Sequence, residues 1–360
     1  MKTLRAIVII LFGILQISCG HQANRAEFDK GIGKIETNRY NFSAYQGMLH
    51  IIQNDETSLQ LKATSPVFGA HVTNKSDNSL VLAISISNIN EDMELTGPDL
   101  TAIPVAEQIS LLTKKWTFVI PAGESIDFNS TTPATEPFDF LALGDIQDGI
   151  TTFDKVVEVL NQQKNIDFVL FLGDVTINSQ AEQFEAVLAA FDQIKFPIYS
   201  TPGNHDIKSS EPIYQHYFGR ANYSFKYKNV VFTGVDTGSW SMSDQTWDWY
   251  LDWLEDAKSD THIVFSHISP TESFGLRGGQ WKSRREANSF IAHASRKSVD
   301  AMFYGHLHTL DILTLAGIPT YISGGAGAPQ EHMDGIERHF LKVSVIPDAN
   351  EIKVMTIKVD

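Results

Sequence analysis

Five short segments of the chain concentrate side chains able to hold cations or move protons. They are Gly144-Asp145-Ile146-Gln147, Gly173-Asp174, Gly203-Asn204-His205-Asp206, Ser266-His267 and Gly305-His306-Leu307-His308. They offer carboxylates, carboxamides and imidazoles but no thiolate, because the single cysteine is Cys19. Hard and borderline donors of this kind suit Mn, Fe, Zn, Co or Ni better than Cu(I) or an iron–sulfur cluster. Six or seven such ligands are too many for one four-coordinate site. They suit two divalent metal ions about 3.5–4 Å apart, which can clamp the attacking and leaving oxygens of an in-line displacement. That arrangement needs a bridging carboxylate, and Asp174 is the natural candidate.

The elements that must position these residues are legible in the hydrophobic pattern. Phe138 to Leu143, Asp167 to Leu172, Phe196 to Ser200, His262 to Phe265 and Ala301 to Tyr304 read as buried strands, and each is followed by one of the segments. Val230 to Val235 and Ile318 to Ile322 read as further strands. Between strands, Thr152 to Lys164 and Glu182 to Ile194 carry helical apolar stripes through Phe153, Val156, Val157 and Leu160, and through Phe184, Val187, Leu188 and Phe191. Phe340 to Val345 and Glu351 to Val359 flank Pro347-Asp348-Ala349-Asn350 and read as a hairpin. Alternating strands and helices predict an α/β core with a largely parallel sheet. In such sheets ligands gather beyond the carboxyl ends of the strands, where the five segments fall. Glycines at 144, 173, 203 and 305 suit tight turns and close backbone approach there.

The order Asp-x-(His or Gln), Gly-Asp, Gly-Asn-His-Asp, His, Gly-His-x-His resembles the calcineurin-like metallophosphoesterase superfamily, over roughly residues 138–346. The resemblance implies a four-layer αββα sandwich and hydrolysis of a phosphate ester by a hydroxide shared between two metals. Carried across by position, it implies that Asp145, Gln147 and His308 hold the first metal and that Asp174 bridges. Asn204, His267 and His306 would hold the second. His205 would contact phosphate or protonate the leaving oxygen, and Asp206 would orient it or serve as a loop cap. Two departures matter. Gln147 stands where the family usually has His, and a neutral amide oxygen tilts that site toward Mn²⁺ or Mg²⁺. Gly173-Asp174-Val175-Thr176 lacks the Asp-Arg pair of the protein Ser/Thr phosphatases. It looks more like the branches that act on small molecules and cyclic nucleotides. A phosphodiester or small nucleotide-type substrate is therefore expected. The alternative is a non-catalytic cell-surface protein that keeps the fold to bind a ligand.

The chain has 360 residues, 28 Lys+Arg and 43 Asp+Glu, for a net charge of −15. So acidic a protein is not expected to bind a nucleic-acid polymer, which needs Lys/Arg to replace phosphate counterions. Met1-Lys2-Thr3-Leu4-Arg5, an apolar run from Ala6 to Ile17 and Ser18-Cys19-Gly20 make a secretory signal pattern. The run is short of the roughly 20 residues that span a bilayer. A cysteine just after it resembles a bacterial lipoprotein processing site, with Cys19 as the lipidated first residue; a plain secretory peptide is the alternative. The expected organisation is a signal peptide at 1–18, a polar tether at 19–36, a β-rich module at 37–134 and the metallophosphoesterase domain at 135–360. The protein is expected to be exported to the cell envelope, periplasmic or outer-surface, and held to a membrane by lipid, with a phosphorylated small molecule as substrate. Two features stay open. Arg277, Lys282, Arg284, Arg285, Arg296 and Lys297 either steer an anionic substrate or form a solvated helix face. Trp247, Trp249, Tyr250 and Trp253, on a helix after Ser243-Asp244, either pack into the core or offer a stacking platform.

Overall fold

The structure, a computed structural model, describes residues 22–98, 103–131, 136–276 and 278–359. Cys19 and the signal pattern lie outside these residues, as does Arg277.

The amino-terminal part is two facing five-stranded sheets. Their strands are β1 (Lys34–Glu36), β2 (Tyr40–Ala44), β3 (Leu49–Asn54), β4 (Ser58–Ala63), β5 (Gly69–Asn74), β6 (Leu80–Ser87), β7 (Leu95–Thr96), β8 (Glu107–Ser110), β9 (Thr113–Ile120) and β10 (Ser125–Ser130). One sheet has the order β1-β2-β5-β10-β7 and the other β3-β4-β6-β9-β8. Strict alternation drives the packing. Leu80, Leu82, Ile84 and Ile86 on β6 and Trp116, Phe118 and Ile120 on β9 point inward, while Val81 and Val119 between them face solvent.

The α/β part begins with β11 (Phe138–Leu143) and continues α2 (Ile150–Leu160), β12 (Ile166–Phe171), α3 (Ala181–Phe191), β13 (Ile198–Ser200), α4 (Ile213–Phe218), β14 (Tyr223–Tyr227), β15 (Val230–Gly234), α5 (Asp244–Asp256), β16 (Thr261–Phe265), α6 (Arg284–Arg296), β17 (Ala301–Tyr304), β18 (Leu310–Leu315), β19 (Ile318–Ser323), β20 (His339–Ile346) and β21 (Glu351–Lys358). Its sheets have the orders β13-β12-β11-β20-β21 and β14-β15-β16-β17-β19-β18. β11, β12 and β13 are parallel, as are β15, β16, β17 and β19. β20 and β21 form the expected antiparallel hairpin.

Runs that look uniformly apolar in sequence divide between two cores. Phe140 and Ala142 of β11 join Phe168 and Leu170 of β12, Phe232 of β15 and Phe303 of β17 between the sheets. Leu141, Leu143, Val169 and Phe171 face the other way, against Phe153, Val156, Phe184 and Val187 of α2 and α3. On the far side, Val264 and Met302 meet Tyr250 and Leu254 of α5 and Phe290 of α6. The result is the four-layer αββα sandwich. Trp247 and Tyr250 go to this core, Tyr250 stacking on Phe290 at 4.5 Å, while Trp249 and Trp253 stack on each other. Among the described residues no helix is long and apolar enough to cross a membrane.

The polar stretch expected to be a tether departs from that expectation. Residues 22–29 form a helix, α1, docked on the α/β part. Arg25 Nε meets Asp236 Oδ2 at 2.8 Å with both side chains buried, and Arg25 Nη2 donates to Ser239 Oγ. At the other end the Asp29 carboxylate accepts from the Ala221 and Asn222 amides and from Asn222 Nδ2. Burial pushes the Asp29 carboxyl up to about 6 against these hydrogen bonds. A buried ion pair needs no hydrophobic period, so the pattern gave no sign of docking.

Truncating Phe140 to Ala, in the inter-sheet core, should cost about 3–5 kcal/mol, read as a lower urea midpoint at unchanged m. His262, buried on β16 with Nε2 2.8 Å from Thr233 Oγ1, titrates near 4 because burial disfavours its charged form. The unfolded chain takes up that proton near 6.5, so this residue's contribution to stability is lost as pH falls from about 6.5 toward 4. His262→Gln should flatten that part of the stability–pH curve, measured by denaturant titration at each pH.

Candidate metal centre

The site is assembled at the carboxyl ends of β11, β12, β13, β16 and β17. The turns after β11, β12 and β17 use left-handed backbone. Asp145, Gln147, Asp174 and His306 all take positive φ, from 52 to 73°. Such a conformation costs a non-glycine residue free energy that the surrounding contacts must offset. The contacts are direct: the Ile146 and Gln147 amides donate to Asp174 O, and the Asp145 amide to Gly173 O.

The side chains meet in two groups that share Asp174. Asp174 Oδ1 is held by the His205 amide at 2.7 Å. Its Oδ2 lies 3.3 Å from His267 Nε2 and 3.1 Å from Gln147 Nε2. On one side Asp145 Oδ1 is 3.5 Å from His308 Nε2, and Gln147 Nε2 is 3.1 Å from the same nitrogen. On the other side Asn204 Oδ1 is 3.1 Å from His267 Nε2. Asp174, His267 and His306 each bring a ligand atom within 4.8 Å of the others. Asp145, Asp174 and His267 are fully buried.

Backbone carbonyls set each imidazole. His267 Nδ1 faces Leu172 O at 2.7 Å, His308 Nδ1 faces Pro329 O at 2.8 Å, and His306 Nε2 faces Gly278 O at 2.9 Å. A carbonyl only accepts, so that nitrogen carries the proton and the other presents its lone pair to the centre. Asp145 Oδ1 is buried without a hydrogen-bond donor. The centre thus gathers lone pairs from carboxylate, carboxamide and imidazole groups, a donor set that fits hard and borderline divalent cations.

The electrostatics reflect the same crowding. Burial alone would raise the Asp174 carboxyl, but the neighbouring His267 and His205 imidazoles hold it well below the usual carboxylate range. Burial works against the charged forms of His267 and His308, yet Asp174 and Asp145 respectively bring each up to about 9, a second proton on the inward nitrogen that a cation would displace. His306 falls to about 4 through burial and the nearby His267.

Asp206 does not orient the His205 ring. Its carboxylate accepts from the Gly203, Val175 and Thr176 amides and from Thr176 Oγ1, tying the third segment to the second. Burial, and then the Asp174 charge, raise it to about 7. The His205 ring is held instead by Ile177 O, 2.9 Å from Nδ1, and Lys208 Nζ lies beside that nitrogen and donates to the same carbonyl. Lys208 was not visible as a partner from sequence, because nothing distinguishes it from other exposed lysines. The carbonyls of Leu172, Gly278 and Pro329 carry no residue-type signal at all. The run Gly324-Gly325-Ala326-Gly327-Ala328 after β19 did carry one: the Gly327 and Ala328 amides donate to Asp145 O.

Glycine is required where these loops cross. A Cβ on Gly203 would lie 2.1 Å from Asp174 Oδ1 and 2.3 Å from the Asp174 amide. Gly203→Ala should therefore lower metal content at least about tenfold after dialysis against limiting Mn²⁺, read by elemental analysis. Wild-type metal content in that variant would show that the Asp174 turn tolerates displacement.

The calcineurin-like phosphoesterase family pattern matches residues 138–310. Among solved structures, a purple acid phosphatase from yellow lupin (Lupinus luteus) seeds superposes with a TM-score of 0.54 at 14% identity, covering 82% of this chain and 70% of that one. PhoD gives 0.49 at 10%, covering 82% and 87%, and a dimetal phosphatase from Danio rerio gives 0.47 at 15%, covering 62% and 99%. Likeness at such identities speaks to the fold alone. No curated protein matches the chain in sequence. Residues 138–310, which carry all five strand-end segments, are therefore the part of the chain that matches the calcineurin-like phosphoesterases.

Proposed function

We propose that the protein is a phosphoesterase working with two divalent cations, on phosphodiesters or small nucleotide-type esters. Asp145, Gln147 and His308 are assigned to one cation, Asn204, His267 and His306 to the other, and Asp174 to both. The observation that carries this reading is the shared position of Asp174 Oδ2, close to both Gln147 and His267. The cations supply Lewis acidity, which activates water and offsets charge on the phosphate ester. The protein's own residues do the rest. Three imidazoles are locked in one tautomer by carbonyls. Gln147 faces inward with its nitrogen, and a half-turn of the amide exchanges it for the oxygen that a cation requires. Asn204 and His205 are assigned to the non-bridging phosphate oxygens, and His205 Nε2 to donating a proton to the leaving oxygen. We assign Cys19 as the lipid attachment point of an exported protein.

Asp174→Asn should reduce kcat/KM at least about 1000-fold without changing the far-UV spectrum or Tm. Full retained activity would sink the assignment. A content below one metal per chain after Mn²⁺ loading supports ligand binding without catalysis instead. Between bis-p-nitrophenyl phosphate and p-nitrophenyl phosphate the diester should be the better substrate. Exclusive cleavage of the monoester overturns the preference.

A further inference from the structure

The docked helix α1 ends beside the candidate metal centre. Gln22 donates from Nε2 to Ser241 O, and Arg25 binds Asp236 and Ser239, so the Gln22 end of the helix is fixed to the loop 236–242. The next residue of that loop, Trp240, stands edge-on to the His306 ring at 6.0 Å. Its indole Nε1 donates to Gly278 O, the carbonyl that also faces His306 Nε2. Trp240 has φ 59°, which for so bulky a residue marks a position fixed by its surroundings. Cys19 lies three residues before Gln22, and three residues of chain span at most about 10 Å. A lipid on Cys19 would therefore hold the bilayer next to the mouth of the site.

The surface at that mouth has its own signature. Lys282 Nζ sits 4.3 Å above the Trp240 ring, and its amide bonds Trp240 O. Lys282, Arg284 and Arg285 are exposed. Phe274, 37% exposed, lies on the same loop as Gly278. The nearby Glu286 is taken up by the Met242 amide and Trp247 Nε1. The acidic Glu331 and Asp334 lie on the His308 side, Glu331 through its amide on His308 O. Aromatic and basic side chains together, with the apolar groups at the lipid boundary and the cations among anionic head groups, are the composition of an interfacial membrane contact. In a chain of net charge −15 these cations are exposed, while Glu272 on the same loop is taken up by the Phe274, Gly275 and Leu276 amides.

We propose that the rim formed by Trp240, Phe274, Lys282, Arg284 and Arg285 rests on an anionic membrane surface, and that the site takes its phosphate ester from a lipid head group. This deepens the phosphoesterase reading and rests on it for the substrate, while the surface itself stands on the rim alone.

The test uses two diesters that differ only in their chain: hexadecyl p-nitrophenyl phosphate in vesicles of phosphatidylcholine with about 30 mol % phosphatidylglycerol, and ethyl p-nitrophenyl phosphate in solution. In both, the hydroxyl of water joins phosphorus, the bond from phosphorus to the phenolic oxygen breaks, and p-nitrophenolate leaves with release of the proton. The full chain bound to these vesicles should cleave the hexadecyl ester with at least about tenfold higher kcat/KM than the ethyl ester. The variant Phe274→Ser/Arg284→Glu/Arg285→Glu should lose that preference and keep its rate on the ethyl ester within about twofold. Independently, the full chain with Cys19→Ser should co-sediment with these vesicles at low salt and not with pure phosphatidylcholine, and the triple variant should not co-sediment. Equal rates on the two esters, or sedimentation unaffected by the triple variant, overturn the proposal. Cleavage of neither ester, with sedimentation as expected, refutes the phosphoesterase reading and leaves the membrane surface standing.

Discussion

Two buried carboxylates, Asp145 and Asp174, face the same small volume from adjacent parallel strands, and most of the molecule answers to that constraint. Like charges without water cannot sit so close unless cations or protons are supplied beside them. The fold supplies three imidazoles from β16 and the turn after β17, and fixes each with a carbonyl so that a lone pair points inward. One oxygen of each carboxylate is anchored by an amide, that of His306 for Asp145 and that of His205 for Asp174. The other oxygen is left for the centre. Backbone in the left-handed region at Asp145, Gln147, Asp174 and His306 is the conformational cost of the turns that bring these four residues to the centre.

That cost is offset by a rigid frame. The aromatic layer between the sheets, with Phe140 stacked on Phe168 at 5.4 Å and edge-on to Phe232 and Phe303, fixes how the two sheets meet. The strand ends then fall at defined places, and the loops close over one another at glycine contacts that leave no room for a side chain. Asp206, buried and held by three amides, fastens the third loop to the second and so keeps His205 over Asp174 without touching its ring.

The docked helix α1 adds a second constraint, this time on access. It binds through Arg25 and Asp29 to groups at the open end of the β14–β15 hairpin, and Asn222 links the two contacts by accepting the Asp236 amide at 2.8 Å. The loop that carries Trp240 is thereby held from behind. Residues 22–29 thus brace the loop whose Trp240 stands against His306.

The amino-acid sequence by itself determined the α/β alternation, the strand that precedes each polar segment and the chemical type of every donor, because these follow from local periodicity and from the side chains themselves. Phe138 to Leu143 and Ala301 to Tyr304 form strands at the limits their apolar runs mark. Only the tertiary structure decided which face of each uniformly apolar strand meets the other sheet. It also decided that Asp206 braces a loop rather than a ring, that Lys208 and the carbonyl of Gly278 touch imidazoles, and that residues 22–29 dock rather than hang free. The physical reason is common to all of these. Each depends on a partner distant in the chain, a backbone carbonyl, an amide or a buried countercharge such as Asp236 opposite Arg25, and no residue type or spacing encodes where such a partner will arrive.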